Sequence, residues 1–214
     1  MKNPPRRVNE IPDPLTPQGW EMEYKKGNPH WAEDKDPSKF AQEFVDTFRE
    51  RGLKTILEIG CGNGRDSIFF AHANLKPTCI DVSPSAVKLA KTNFEEANVP
   101  VKIQVANAEK LPFEDNEFDG VFSLSVLHST DLNKSLKEVF RVLKPKGLAF
   151  IYIYGSTQIP TGEEKDIIDL DAYLVLLQKV GFKIDDFYSE DEEEFDESGE
   201  KHKLFVSYLE KEES

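Results

Sequence analysis

The chain has 214 residues, 38% hydrophobic and 31% charged, which suits one water-soluble domain with a sizeable core. Forty acidic residues against 27 basic ones leave a net charge of −13, which speaks against a phosphate backbone as partner. No apolar run approaches the ~18 residues of a membrane span, no apolar stretch follows Lys2, Arg6 and Arg7 as in a signal peptide, and two cysteines make no disulfide framework, so a reducing cytoplasm and no membrane partner are expected.

Taken in chain order, residues 1–19 carry Pro4, Pro5, Pro12, Pro14 and Pro17 and read as a flexible, extended arm. Residues 20–214 are expected to form a single domain. Asp36-Pro37 predicts a helix start, with Phe40, Phe44, Val45 and Phe48 at helical spacing and Gly52 closing the helix. Thr55–Ile59 is a short apolar run that predicts a buried strand, and Gly60, Gly62 and Gly64 then break it before a helix start at Asp66. Glycines at such a turn let a ligand approach the backbone, at the carboxyl end of the first strand of an α/β sheet.

Lys76–Asp81 predicts the second strand, and Ser83-Pro84 caps a helix with Ala86, Val87, Ala90 and Phe94 on one face. Val101–Val105 and Phe118–Leu124 predict the third and fourth strands. Asp131 caps a helix over Leu132–Leu143, and Lys144–Gly147 turns the chain, with Gly147 at positive φ, into a fifth strand over Leu148–Tyr154. A helix from Asp169 to Val180 ends at Gly181, and strands near Phe182–Tyr188 and Lys203–Leu209 flank the acidic run Glu190–Glu200. Alternating strands and helices predict a doubly wound, Rossmann-like, seven-stranded sheet, mostly parallel. The last two strands lack a helix between them, so the final strand is expected to be antiparallel in a C-terminal hairpin.

The glycine loop has the form Glu58-x-Gly60-x-Gly62-x-Gly64, and Asp81 ends the second strand twenty-one residues after Gly60. A dinucleotide pattern wants its third glycine one residue later, where Arg65 stands, which disfavours NAD(P). A carboxylate before the loop suits a cationic ligand, and an acid after the second strand suits ribose hydroxyls. This pattern resembles motif I and the second acidic motif of the class I S-adenosylmethionine-dependent methyltransferases. Val105–Phe113 is similar to that family's adenine-contacting segment, with Asn107 where an Asp is common. Phe118–His128 resembles its fourth motif, and Phe140–Gly147 its R-V-L-K-P-G-G segment, with Lys146 in place of the first glycine.

The resemblance covers roughly Leu53 to Tyr154. It implies S-adenosylmethionine as cofactor, held by Glu58, Gly60, Cys61, Gly62, Asp81, Val82, Asn107, Ala108 and Ser123, and no metal. Trp20, Tyr24, Gly27, Pro29 and Trp31 look like the W-x-x-x-Y…G…P-W entry of thiopurine- and tellurite-resistance-type methyltransferases, which would bring Tyr24 and Trp31 over the cofactor. Packing of these aromatics onto the core is the alternative. His128, just past the fourth strand, is the candidate general base, against a role in backbone hydrogen bonding.

The expected activity is methyl transfer to a small-molecule nucleophile at O, N, S or a heavier chalcogen. The alternatives are a protein methyltransferase and a non-catalytic cofactor-binding module that docks a partner through the acidic hairpin. The run Asp191–Glu194 otherwise reads as a solvated loop, Cys61 as a small filler, and Arg141 as scaffold.

Overall fold

The computed structural model describes residues 16–27, 29, 32–158, 164–191 and 201–212. Among the described residues, six α-helices and eight strands follow in this order: α1 Pro17–Lys26, α2 Lys39–Glu50, β1 Thr55–Ile59, α3 Arg65–His72, β2 Lys76–Asp81, α4 Pro84–Ala97, β3 Lys102–Val105, β4 Phe118–Leu124, α5 Leu132–Val142, β5 Leu143–Gln158, β6 Glu164–Asp166, α6 Leu170–Val180, β7 Phe182–Asp191 and β8 Lys201–Lys211. The sheet order is β3-β2-β1-β4-β5-β8-β7. Pairing is parallel from β3 through β5. It is antiparallel on both sides of β8. The expected seven strands and the C-terminal hairpin are therefore present.

The alternation of side chains along buried strands fills two layers at once. Ile56, Phe122 and Phe150 face α2 and α3, where Phe40, Phe44, Phe48 and Phe70 close the core. Leu57, Val121, Ile151 and Ile153 face α5 and α6, through Leu136, Val139, Tyr173 and Leu177. Strand order reverses between β1 and β4, so the switch-point crevice that binds ligands in such sheets is expected at their carboxyl ends.

Four details depart from the sequence expectation. The first turn of α1 lies inside the segment expected to be extended: Thr16 caps it by accepting the Gly19 amide at 3.1 Å, and Pro17 fits the first turn because its missing N–H is not needed there. Residues 1–15 lie outside the described residues. The cap of α2 is Ser38 and not Asp36; its hydroxyl accepts the Ala41 amide at 3.1 Å, while its own amide donates to Asp66 Oδ1 at 2.7 Å. The turn before the fifth strand is a bulge within β5, where Lys144 to Gly147 stand against the single residue Asp119. There Lys146, not Gly147, takes the positive φ of 63°. Gly147 is needed for a close approach instead, since a Cβ would lie 2.7 Å from the Lys144 carbonyl oxygen. Finally, β5 runs on to Gln158 and pairs with an eighth strand, the three-residue β6. That strand is too short to leave a period in the sequence.

Candidate active site

The crevice is built around the loop after β1. Gly60 and Gly62 both take positive φ, 76° and 54°, a region that side chains with a Cβ enter at a cost. A Cβ on Gly60 would also lie 2.3 Å from Val126 Cγ2, so the loop fits against the segment after β4 only as glycine. Its position is fixed from β2, because the Gly60 and Cys61 amides donate to the Ile80 carbonyl at 2.8 and 3.0 Å. Cys61 and Cys79 are buried free thiols packed with Ala90 and Phe94, which supports the filler reading of Cys61.

Three carboxyl groups surround this loop. Glu58 is buried at the end of β1 and accepts a short hydrogen bond from the Ser67 hydroxyl. Asp66 is buried in the first turn of α3 and takes the Ser38 amide. Asp81 is buried at the end of β2; one oxygen accepts the Gly62 amide at 3.0 Å and the other the Ser83 amide at 2.9 Å. A carboxylate has about four acceptor sites, which leaves Asp81 capacity for a ligand hydroxyl. Burial raises the pKa of all three, and the Glu58 group is raised further by Asp66. Three buried carboxyls around one loop suit a cationic ligand, which would favour their ionised forms.

Two stretches reach across from the front of the chain. Tyr24 on α1 holds its hydroxyl 2.8 Å from where a Gly62 Cβ would be, which places α1 over the glycine loop. Glu21, one turn earlier, latches α1 to the start of α4: it accepts from Ser83 Oγ at 2.6 Å, Ser85 Oγ at 2.9 Å and the Ser85 amide at 3.0 Å. Those bonds outweigh desolvation and hold its pKa down at about 2. Asn63 in the loop anchors the second stretch through the Ala32 and Asp34 carbonyls at 2.9 and 2.8 Å. Trp31 lies outside the described residues.

The remaining candidates fall around the same crevice. Val82 is half-buried after β2. Asn107 is exposed, and its side-chain oxygen accepts the Glu109 amide at 2.8 Å in a turn that buries Ala108. Ser123 lies fully buried near the end of β4, and its hydroxyl is one of two buried side-chain polar atoms without a partner among the described residues. Arg141 is scaffold: it binds the Leu111 and Phe113 carbonyls at 3.0 and 2.7 Å and bridges Glu138 and Asp115.

Beyond β4 the wall is aromatic. His128 stacks on Tyr154 of β5 at 4.5 Å, and Tyr154 stacks on His202 of β8 at 3.9 Å. His202 is buried and within 3.0 Å of Thr157 Oγ1. Sequence reasoning missed Glu21, Tyr154 and His202. Glu21 stands in the entry segment with no motif of its own, and the two rings meet only because β5 and β8 pair some fifty residues apart in the chain.

Residues 57–151 match the family model described as a methyltransferase domain. The uncharacterized methyltransferase YodH of Bacillus subtilis is 33% identical over 122 residues, 56% of this chain and 52% of that protein. The 24-methylenesterol C-methyltransferase 3 of Arabidopsis thaliana is 30% identical over 172 residues, 71% of this chain and 48% of that one. The chain thus spans about half the length of these curated relatives. Among solved structures, a SAM-dependent methyltransferase from Methanosarcina mazei shares the fold with a TM-score of 0.68 at 23% identity, over 84% of this chain and all of that one. The likeness to thiopurine- and tellurite-resistance-type enzymes has no counterpart in these matches.

Proposed function

We propose that the protein transfers a methyl group from S-adenosylmethionine to a small-molecule nucleophile, a reading supported by the match of residues 57–151 to the methyltransferase-domain model. The observation that carries the reading is the glycine loop with the buried carboxyls of Glu58, Asp66 and Asp81 around it, an arrangement suited to a cationic ligand. Asp81 is assigned to the ribose hydroxyls, Gly60 and Gly62 to the close backbone approach, and the Asn107–Ala108 turn to the base. When bound, the cofactor supplies a sulfonium-activated methyl group, so no covalent intermediate with the protein is required.

What the chain supplies is alignment and exclusion of water. Tyr24 and the Glu21 latch bring α1 over the loop, and His128, stacked on Tyr154, follows β4 just after Val126, which packs against Gly60. Small-molecule acceptors are favoured by relatives such as the sterol enzyme named above. The test is transfer of labelled methyl from S-adenosylmethionine to fractionated small molecules and proteins. Label in a small-molecule fraction supports the proposal. Label confined to protein, or cofactor binding without transfer to any fraction, would overturn it.

A further inference from the structure

His128 follows β4 in a single turn of 3-10 helix over Leu127–Ser129. Its Nδ1 accepts the backbone amide of Tyr154 at 3.5 Å while its ring lies against the Tyr154 ring. A neutral imidazole has one donor and one acceptor nitrogen, so an Nδ1 engaged as acceptor leaves the proton on Nε2. Nε2 meets no protein partner among the described residues, and it is not among the sealed-off polar atoms either. The titratable groups packed against this ring are Tyr154 and, behind it, His202. Burial first and His202 second hold the His128 pKa at about 4, so the ring stays neutral around pH 7.

A general base needs a free lone pair aimed at the proton it removes. Here the Nδ1 lone pair is taken by the Tyr154 amide, and Nε2 carries the hydrogen. We propose that His128 is a hydrogen-bond donor that holds the methyl acceptor through its Nε2–H, and that the acceptor brings its own electron pair at neutral pH, as a thiolate or phenolate does. This rests on the methyltransferase reading. The stack behind it gives the donor a fixed direction: Thr157 orients His202, His202 supports Tyr154, and Tyr154 holds His128 by ring and amide together.

The tautomer is read by nitrogen-15 NMR on protein labelled at its four histidines, with His128 assigned through His128→Gln. At pH 7, with and without S-adenosylhomocysteine, the proton is expected on Nε2 and Nδ1 is expected bare. A proton on Nδ1, or an imidazolium at pH 7, would overturn the proposal. The second arm compares variants on a panel of small thiols and phenols. Loss of one hydrogen bond to an anionic acceptor predicts a fall of about ten- to a hundredfold in kcat/KM for His128→Ala. Glutamine offers an amide donor, so His128→Gln should recover to within about threefold of wild type. Losses of ~10²-fold or more in both variants would mark a base and overturn the proposal. Calorimetry with S-adenosylhomocysteine on both variants separates pocket collapse from loss of the donor. Absence of turnover on the whole panel would count against the methyltransferase reading, while the tautomer still decides the role of the ring.

Discussion

Glu58, Asp66 and Asp81 are kept buried around one loop although burial disfavours their charge. Each raised pKa means that the native site begins to take up protons above the ordinary carboxylate range. A cationic ligand favours the ionised forms, so binding should release protons and affinity should fall as pH drops. Calorimetry of S-adenosylmethionine in buffers of different ionisation heat measures that release. Its absence would remove the carboxyl cluster from the account of binding. Asp119 has the opposite shift: Lys144, the Lys54 and Thr55 amides and the Thr55 hydroxyl all bind its carboxylate and hold its pKa at about 2. With the folded value below the unfolded one, its stabilising effect is full above about pH 4 and is lost as pH falls through about 2. Asp119→Ala should cost about 2 kcal/mol in urea unfolding at neutral pH and show a weaker acid dependence than wild type.

At the scale of elements, Glu21 joins α1 to the body through three hydrogen bonds. Glu21→Ala removes three hydrogen bonds at the start of α4 without touching the glycine loop. The variant should keep a melting temperature within a few degrees of wild type. It should bind S-adenosylhomocysteine about tenfold more weakly, because Tyr24 no longer has a fixed place over Gly62. Unchanged binding would leave α1 as packing only. A different joint holds β8. The Lys211 ammonium is buried and donates to Asn116 Oδ1 and to the Phe140 and Leu143 carbonyls, all within 2.9 Å. Lys211→Met should lower stability by about 3 kcal/mol in denaturant unfolding, since three acceptors lose their donor and the α5 terminus its tether.

Across the whole molecule, what was legible followed the physics that repeats. Apolar strands, Ser83, Asp131 and Asp169 as helix caps, and Gly181 as a helix terminator all act locally, so the sequence shows them. The turn after β1 and the Asp81 carboxylate that holds it were legible because positive-φ glycines and a strand-end acid act over short spacing. Less visible was whatever depends on distant pairing. The His128–Tyr154–His202 stack needs β5 and β8 side by side, and the Glu21 latch needs α1 folded back onto α4. The misplaced α2 cap has the same origin, since Ser38 is chosen by Asp66 of α3 as well as by its own turn. The net charge of −13 also acts at this scale, and it predicts no saturable RNA or DNA binding at physiological salt in a fluorescence titration.

The most direct test of the account is a calorimetric titration of S-adenosylhomocysteine and S-adenosylmethionine into the wild-type chain and Asp81→Ala. Saturable one-site binding of both to the wild type is predicted. Asp81→Ala should bind clearly more weakly, because two hydrogen bonds to a charged acceptor, each worth ~1.5–3 kcal/mol before solvent compensation, are removed. A wild-type chain that binds neither, or a variant that binds both equally well, would contradict the assignment of this crevice.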